Sequence, residues 1–135
     1  MKTINLNDNL VEWKIDGHLL QSSLNRNARS DLHLQARNLL RETFPTLKIF
    51  EECPIPINQG KTLFLDFFVL LRNLAVEIHG EQHYKFVPHF HHSLSTFLIQ
   101  KQNDQLKKEW CEKNGFEIII LPYNEDINEW RKKLQ

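Results

Sequence analysis

Two apolar runs interrupted by acids, Leu63-Phe64-Leu65-Asp66-Phe67-Phe68-Val69 and Leu74-Ala75-Val76-Glu77-Ile78-His79, stand close together and lead into Gly80-Glu81-Gln82-His83. Side chains alternate across a strand. Leu63, Leu65, Phe67 and Val69 are therefore predicted to share one face, with Phe64, Asp66 and Phe68 on the other. In the second run Leu74, Val76 and Ile78 face one way, and Ala75, Glu77 and His79 the other. The linker Leu71-Arg72-Asn73 is short enough for a hairpin, which makes the strands antiparallel neighbours. Whether Asp66 meets Glu77 and His79 depends on a register that the sequence leaves open, since a one-residue slip exchanges the faces.

An acid on one strand, with an acid and a histidine two residues apart on the next, is a residue set suited to phosphodiester hydrolysis. Carboxylates hold a hard cation such as Mg²⁺, or Mn²⁺ in its place, and an imidazole handles a proton. Asp66 and Glu77 are the candidate metal ligands. Taken singly, each has a plain structural reading as an edge residue or an ion-pair partner. Three at compatible parity point to a site, because buried charges are paired or coordinate metals.

Outward from these strands, Ser30 is predicted to cap a helix whose apolar stripe is Leu32, Ala36, Leu39 and Leu40, ending before Pro45. Lys48 to Ile57 reads as a strand that ends early or lies at an edge, given Pro54 and Pro56. Asn58-Gln59-Gly60 turns into the Asp66 strand, and a histidine-rich loop, Gly80 to His92, follows the Glu77 strand. A long helix over Leu94 to Asn114 is predicted to bury Leu94, Phe97, Leu98, Leu106 and Trp110 and to stop at Gly115. Phe116 to Leu121 is a buried strand; Asn124 caps a last helix that turns Ile127, Trp130 and Leu134 to the core. The order α-β-β-β-α-β-α describes an α/β sandwich with a mixed β-sheet flanked by helices, over residues 30–135. Residues 1–29 read as an appendage: a hairpin of Val11–Ile15 with His18–Leu20 about Asp16-Gly17, then a polar arm whose Arg26 and Arg29 are better read as solvated than as phosphate contacts.

The length fits one domain, and 41% hydrophobic with 25% charged residues is ordinary for a folded, water-exposed protein. No apolar run approaches a membrane span, and the polar, acid-containing start does not resemble a signal peptide, so a cytoplasmic protein with no membrane partner is expected. Cys53 and Cys111 lack metal-type spacing and read as reduced core residues. Lys plus Arg equals Asp plus Glu, at 17 each, which neither announces nor excludes a nucleic-acid partner. Lys101, Lys107, Lys108 and Lys113 nevertheless gather on one segment, and Arg131, Lys132 and Lys133 on another.

Asp66, the Glu77-Ile78-His79 pair, Gly80-Glu81-Gln82-His83, Phe90-His91 and the later Asp104 with Lys107 resemble a phage-type nuclease of the very-short-patch-repair-like group. That group is a branch of the PD-(D/E)XK superfamily and is similar to the EDxHD homing endonucleases. The resemblance covers roughly Ser30 to Leu121. It implies a restriction-endonuclease-like core, DNA strand cleavage with Mg²⁺, and a phage-type enzyme acting in a host cytoplasm. Within it, Asp66 takes the place of the principal metal ligand, and His79 stands where lysine is common, to orient or deprotonate the attacking water. His83 is then a second proton handler or phosphate contact, Gln82 a hydrogen-bonding partner of nucleophile or phosphate, and Asp104 the late acid.

The group's first helix offers an acid near its start. Here the inward candidates are His33 and Gln35, with Asp31 and Glu42 less well placed. The zinc-binding cysteines of the mismatch-repair enzymes have no counterpart, so no structural zinc is expected. His89, His91 and His92 read as loop or phosphate-contacting residues rather than a zinc cluster. Lys85, His91, Lys101, Lys107 and Lys108 are the expected DNA contacts, with a solvated helix face as the plain alternative for Lys107 and Lys108. Two other functions stay open: a nucleic-acid-binding module that keeps the fold without catalysis, and a protein-interaction domain.

Overall fold

The computed structural model describes residues 1–15, 18–20 and 31–135; the Asp16-Gly17 turn, the arm from Gln21 to Arg29 and the Ser30 cap lie outside the described residues. Two short strands, β1 (Lys2–Ile4) and β2 (Leu10–Glu12), form a ribbon. Then come β3 (His18–Leu19), α1 (Asp31–Thr43), β4 (Ile49–Asn58), β5 (Lys61–Val69), β6 (Leu74–His79), α2 (Leu94–Lys113), β7 (Glu117–Pro122) and α3 (Ile127–Leu134). From α1 onward this is the predicted order. The main sheet runs β3-β4-β5-β6-β7 and is mixed: its first three pairings are antiparallel, while β6 and β7 are parallel. A parallel pair needs a long crossover, which α2 supplies.

Each face of the sheet carries its own core. Under α1 and α3, Leu39, Leu40, Trp130 and Leu134 pack on Phe67, Val69, Val76 and Leu121. Under α2, Trp110 and Cys111 pack on Ile55, Leu65 and Phe68, and Trp13 joins them with its ring 5.2 Å from Trp110 and 5.0 Å from Phe68. Truncating a core tryptophan such as Trp110 to alanine costs about 3–5 kcal/mol. Both cysteines are free and buried, and burial pushes the Cys111 thiol up to about 12, which keeps it protonated and inert.

Several local expectations are corrected. The hairpin predicted between Val11–Ile15 and His18–Leu20 does not form: Val11 pairs with Thr3, and His18 and Leu19 pair with Glu51 and Phe50 at the edge of the main sheet. The ribbon is tied to the end of α2, where Asn114 accepts from the Ile4 N–H at 2.7 Å and donates to the Ile4 carbonyl at 3.0 Å. Gly115, at φ +72°, ends α2 as predicted. Its N–H donates to the Glu112 carbonyl and the Phe116 N–H to that of Cys111.

At the other end of α2, Leu94 and Leu98, expected inside, are 60% and 56% exposed. The α3 cap is Asp126, which accepts from the Glu129 N–H, two residues later than Asn124. Pro54 and Pro56 lie beyond the stretch of β4 that pairs with β3, where the N-terminal segment takes over: Trp13 Nε1 donates to the Pro54 carbonyl and the Leu6 N–H to that of Ile57, both at 2.8 Å.

Candidate active site

Strand parity places the central residues, with one break. On β6, Leu74, Val76 and Ile78 face α1 and α3, and Ala75 faces α2, as predicted. On β5, Phe67 and Val69 face α1 and α3, but Leu65 lies in the core under α2. The expected single face of Leu63, Leu65, Phe67 and Val69 therefore switches sides at Asp66. Across the pairing gap between Glu51↔Phe67 and Cys53↔Leu65, Glu52 has φ +51°, so β4 turns over at the same level.

The β5–β6 pairing stops there too, at Phe67↔Val76. One step further, two carboxylates replace the missing rungs. The Asp66 N–H donates to Glu77 Oε2 at 2.7 Å, and the Ile78 N–H donates to Asp66 Oδ2 at 2.8 Å. The backbone donors freed by the opening are thus satisfied by the acids themselves. Glu77 Oε1 also accepts from Lys107 Nζ at 2.6 Å.

One ammonium therefore serves two neighbouring acids. Burial works against the Lys107 charge, but Glu77 outweighs it and holds the ammonium above its ordinary range. Burial, then the charge of Glu77, push the Asp66 carboxyl up to about 7, despite the opposing pull of the Ile78 N–H and Lys107. Asp66 lines a cavity of about 490 Å³ together with His33, Gln82, His83, Lys107 and Tyr123. A hard divalent cation fits the Asp66 carboxylate on its open side, where Oδ1 is the oxygen not taken up by the Ile78 N–H. Asp66 would hold it directly. Glu77, only 2% exposed and with both oxygens engaged, would act as the charge behind it.

Gly80 and the short 3₁₀ turn Glu81–His83 bring the next group back over the strand ends. A side chain at Gly80 would collide with the Gln82 amide, which folds against it. His83 stacks on His79 with ring centroids 4.1 Å apart and planes 5° from parallel, and its Nδ1 lies 2.9 Å from Asp104 Oδ2. His79 is buried; burial, then the neighbouring His83, pull its pKa down to about 4, so its ring is neutral at physiological pH. Tyr84 Oη shares a hydrogen bond of 3.3 Å with His79 Nδ1.

The structure thus brings Asp66, Glu77, His79, Gln82, His83 and Asp104 to one region, with three corrections of detail. Glu77, expected as a second metal ligand, has its two oxygens taken by the Asp66 N–H and Lys107. His79 sits behind His83 and away from the Asp66 cavity, so it is His83 that meets that space. Lys107 is a half-buried ion-pair partner of Glu77 at the wall of the Asp66 cavity rather than part of a solvated helix face. Its spacing from Asp104 and Cys111 puts all three on one stripe of α2, a helical signal visible in the sequence.

Among the other expected contacts, Lys85 is exposed and pairs with Glu81 at 3.6 Å, while Lys101 and Lys108 line a second cavity beside His83. His91 does not present itself to a ligand. It is 2% exposed, accepts from the Val87 N–H at Nδ1, and bonds Gln100 Oε1 through Nε2. On α1, His33 faces the Asp66 cavity and Gln35 is exposed. The acid at that wall comes from β4, not from α1: Glu51 lies 2.8 Å from His33 Nε2 and 3.0 Å from Arg37. Burial raises the Glu51 carboxyl, but the hydrogen bonds and charges of His33 and Arg37 together hold it below the usual carboxylate range.

Similar sequences come from viruses. An uncharacterized protein of Invertebrate iridescent virus 6 is 39% identical over 72 residues, covering 50% of this chain and 36% of the viral protein. One from Invertebrate iridescent virus 3 is 38% identical over 64 residues (47% and 33%), and one from Frog virus 3 (isolate Goorha) is 34% identical over 77 residues (56% and 50%). The chain spans between about a third and a half of the length of these curated relatives. No protein-family description and no solved structure matches the chain. Among the described residues, no helix is long and apolar enough to cross a membrane.

Proposed function

We propose that the chain is a metal-dependent DNA endonuclease with a restriction-endonuclease-like core. The observation that carries this reading is the opened β5–β6 ladder, where Asp66 and Glu77 replace backbone rungs and leave one carboxyl under-neutralised at a cavity shared with His83. The element order α-β-β-β-α-β-α supports it as well. Mg²⁺ or Mn²⁺ held at Asp66 would draw negative charge off a phosphate oxygen.

The chain's own residues supply the rest. Asp104 orients His83 through Nδ1, and His83 Nε2, releasing the Gln100 amide 3.3 Å away, takes the proton of a water attacking phosphorus in line, while the P–O bond opposite breaks and its oxygen leaves to be protonated by solvent. Lys107 stays charged at the cavity wall and offsets charge gathering on the phosphate. His79, neutral and stacked on His83, fixes the plane of that ring.

One observation favours a second reading, a nucleic-acid-binding module without catalysis: Lys107 already closes on Glu77 at 2.6 Å, as in a self-neutralised site. Supercoiled plasmid incubated with Mg²⁺, Mn²⁺ or EDTA separates the two. Metal-dependent nicking that disappears in Asp66→Ala supports the enzyme. Retarded DNA with no cutting in either metal supports the binder.

A further inference from the structure

Beyond His83, on the side away from Asp66, lies a second hollow of about 280 Å³. His79, His83 and Asp104 form its inner wall, and Lys101, Lys108 and Lys133 reach it from α2 and α3. The chain as a whole carries equal numbers of acids and bases, so three lysines around one small cavity reflect placement and not composition. Two of them are pre-positioned. Lys133 Nζ donates to the Ile120 carbonyl at 3.0 Å and pairs with Glu125 at 2.7 Å, and Lys101 lies 5.8 Å above the Tyr84 ring. Lys108 has no ion-pair partner among the described residues.

Donor atoms of His79, His83 and Asp104 lie within 4.8 Å of one another, a set that could also hold a transition metal. Lys133 is paired with Glu125, but Lys101 and Lys108 bring two cationic heads against the single carboxylate of Asp104, a balance that opposes a cation and favours an anion. We infer that this hollow binds a backbone phosphate of a nucleic-acid strand, the one next to the phosphate at Asp66, so that His83 stands between two consecutive phosphates. Its identity as the neighbouring phosphate rests on the nuclease reading; its binding of a phosphate does not. Lysine heads hold phosphates without reading bases, so the hollow fixes the position of the strand and adds no sequence preference.

The test uses the full chain in EDTA, where no cleavage occurs. Affinity for a labelled single-stranded oligodeoxynucleotide is measured by anisotropy over a range of NaCl concentrations, for wild type, Lys101→Gln/Lys108→Gln and the exposed control Lys132→Gln. The double variant should bind more weakly and lose about 0.7 from the slope of log affinity against log salt, the contribution of one single-strand phosphate contact. Lys132→Gln should keep the wild-type slope. An unchanged slope in the double variant overturns the proposal.

Inorganic phosphate, titrated while amide NMR signals are followed, should shift Tyr84 and Lys108 in wild type and not in the double variant. If Co²⁺ instead gives ligand-field bands that vanish in Asp104→Asn, and phosphate shifts nothing, the hollow is a cation site and the proposal fails. A slope lost as expected in a protein that never cuts DNA would retain the phosphate site and remove the nuclease reading.

Discussion

Two acids on adjacent strands of one sheet have opposite surroundings. Glu51 on β4 is buried against His33 and Arg37, and its carboxyl is held below the usual range; Asp66 on β5 is half-buried beside a second acid, and its carboxyl is pushed up to about 7. Burial raises both, so the difference lies in the partners: a histidine and a guanidinium for one acid, and for the other a share in an ammonium already bonded to Glu77. A neutralised carboxylate holds α1 to the sheet. An under-neutralised one facing a cavity is, on the proposed reading, where a cation would sit.

The comparison breaks most visibly if the two acids are neutralised in turn. Asp66→Asn should abolish metal-dependent cleavage by orders of magnitude and leave the folded state at least as stable in EDTA, since it removes like-charge repulsion from Glu77. Glu51→Gln should do the reverse: removing one member of a buried ion pair costs about 3–5 kcal/mol, to be read from urea unfolding curves. A Glu51 variant of wild-type stability would mean that His33 and Arg37 need no carboxylate.

Next in size is the proton acceptor. His83→Ala should lower the cleavage rate by about 10²- to 10⁴-fold, whereas Asp104→Asn, which leaves the ring but not its orienting partner, should cost less, about 10- to 100-fold. Single-turnover rates check both. Because His79 titrates near 4, any rate midpoint close to neutrality cannot be its own. His79→Ala should therefore leave such a midpoint in place, and its disappearance would make His79 the base.

A smaller effect lies in the pH dependence of stability. Folding raises the Asp66 pKa from 3.8 to about 7, so between those values the folded protein holds a proton that the unfolded chain has released. This contribution is full below about pH 4 and is lost as pH rises to about 7. Glu51 tilts the curve the other way: its contribution is present above its ordinary 4.5 and is lost as pH falls below that value. Chemical denaturation across this range in EDTA should show Asp66→Asn gaining on wild type as pH rises. Parallel curves for the two proteins would contradict the raised Asp66 pKa.

The sequence carried one side of this comparison far better than the other. Asp66, Glu77 and His79 were legible because a short linker and a two-residue period make a hairpin nearly unavoidable, and β6 keeps its parity throughout. The switch of faces at Asp66 was not, since it depends on a local turn-over at Glu52 that no turn residue announces. Glu51 was invisible as a partner of His33 and Arg37, because their meeting depends on how α1 lies across β4. The same holds for Trp13, which reaches the core from a segment that reads as an appendage, and for Lys133, which lines one hollow with Lys101 and Lys108 although α3 and α2 cover opposite faces of the sheet.

The ionisation of Asp66 can be followed by ¹³C NMR of its side-chain carboxyl through a pH titration with and without Mg²⁺. The expected midpoint is about 7 in EDTA, falling by more than a unit in saturating Mg²⁺, because a bound cation favours the charged form. A midpoint near the ordinary 3.8 in EDTA, unmoved by Mg²⁺, would contradict the view that Asp66 is an acid awaiting a cation.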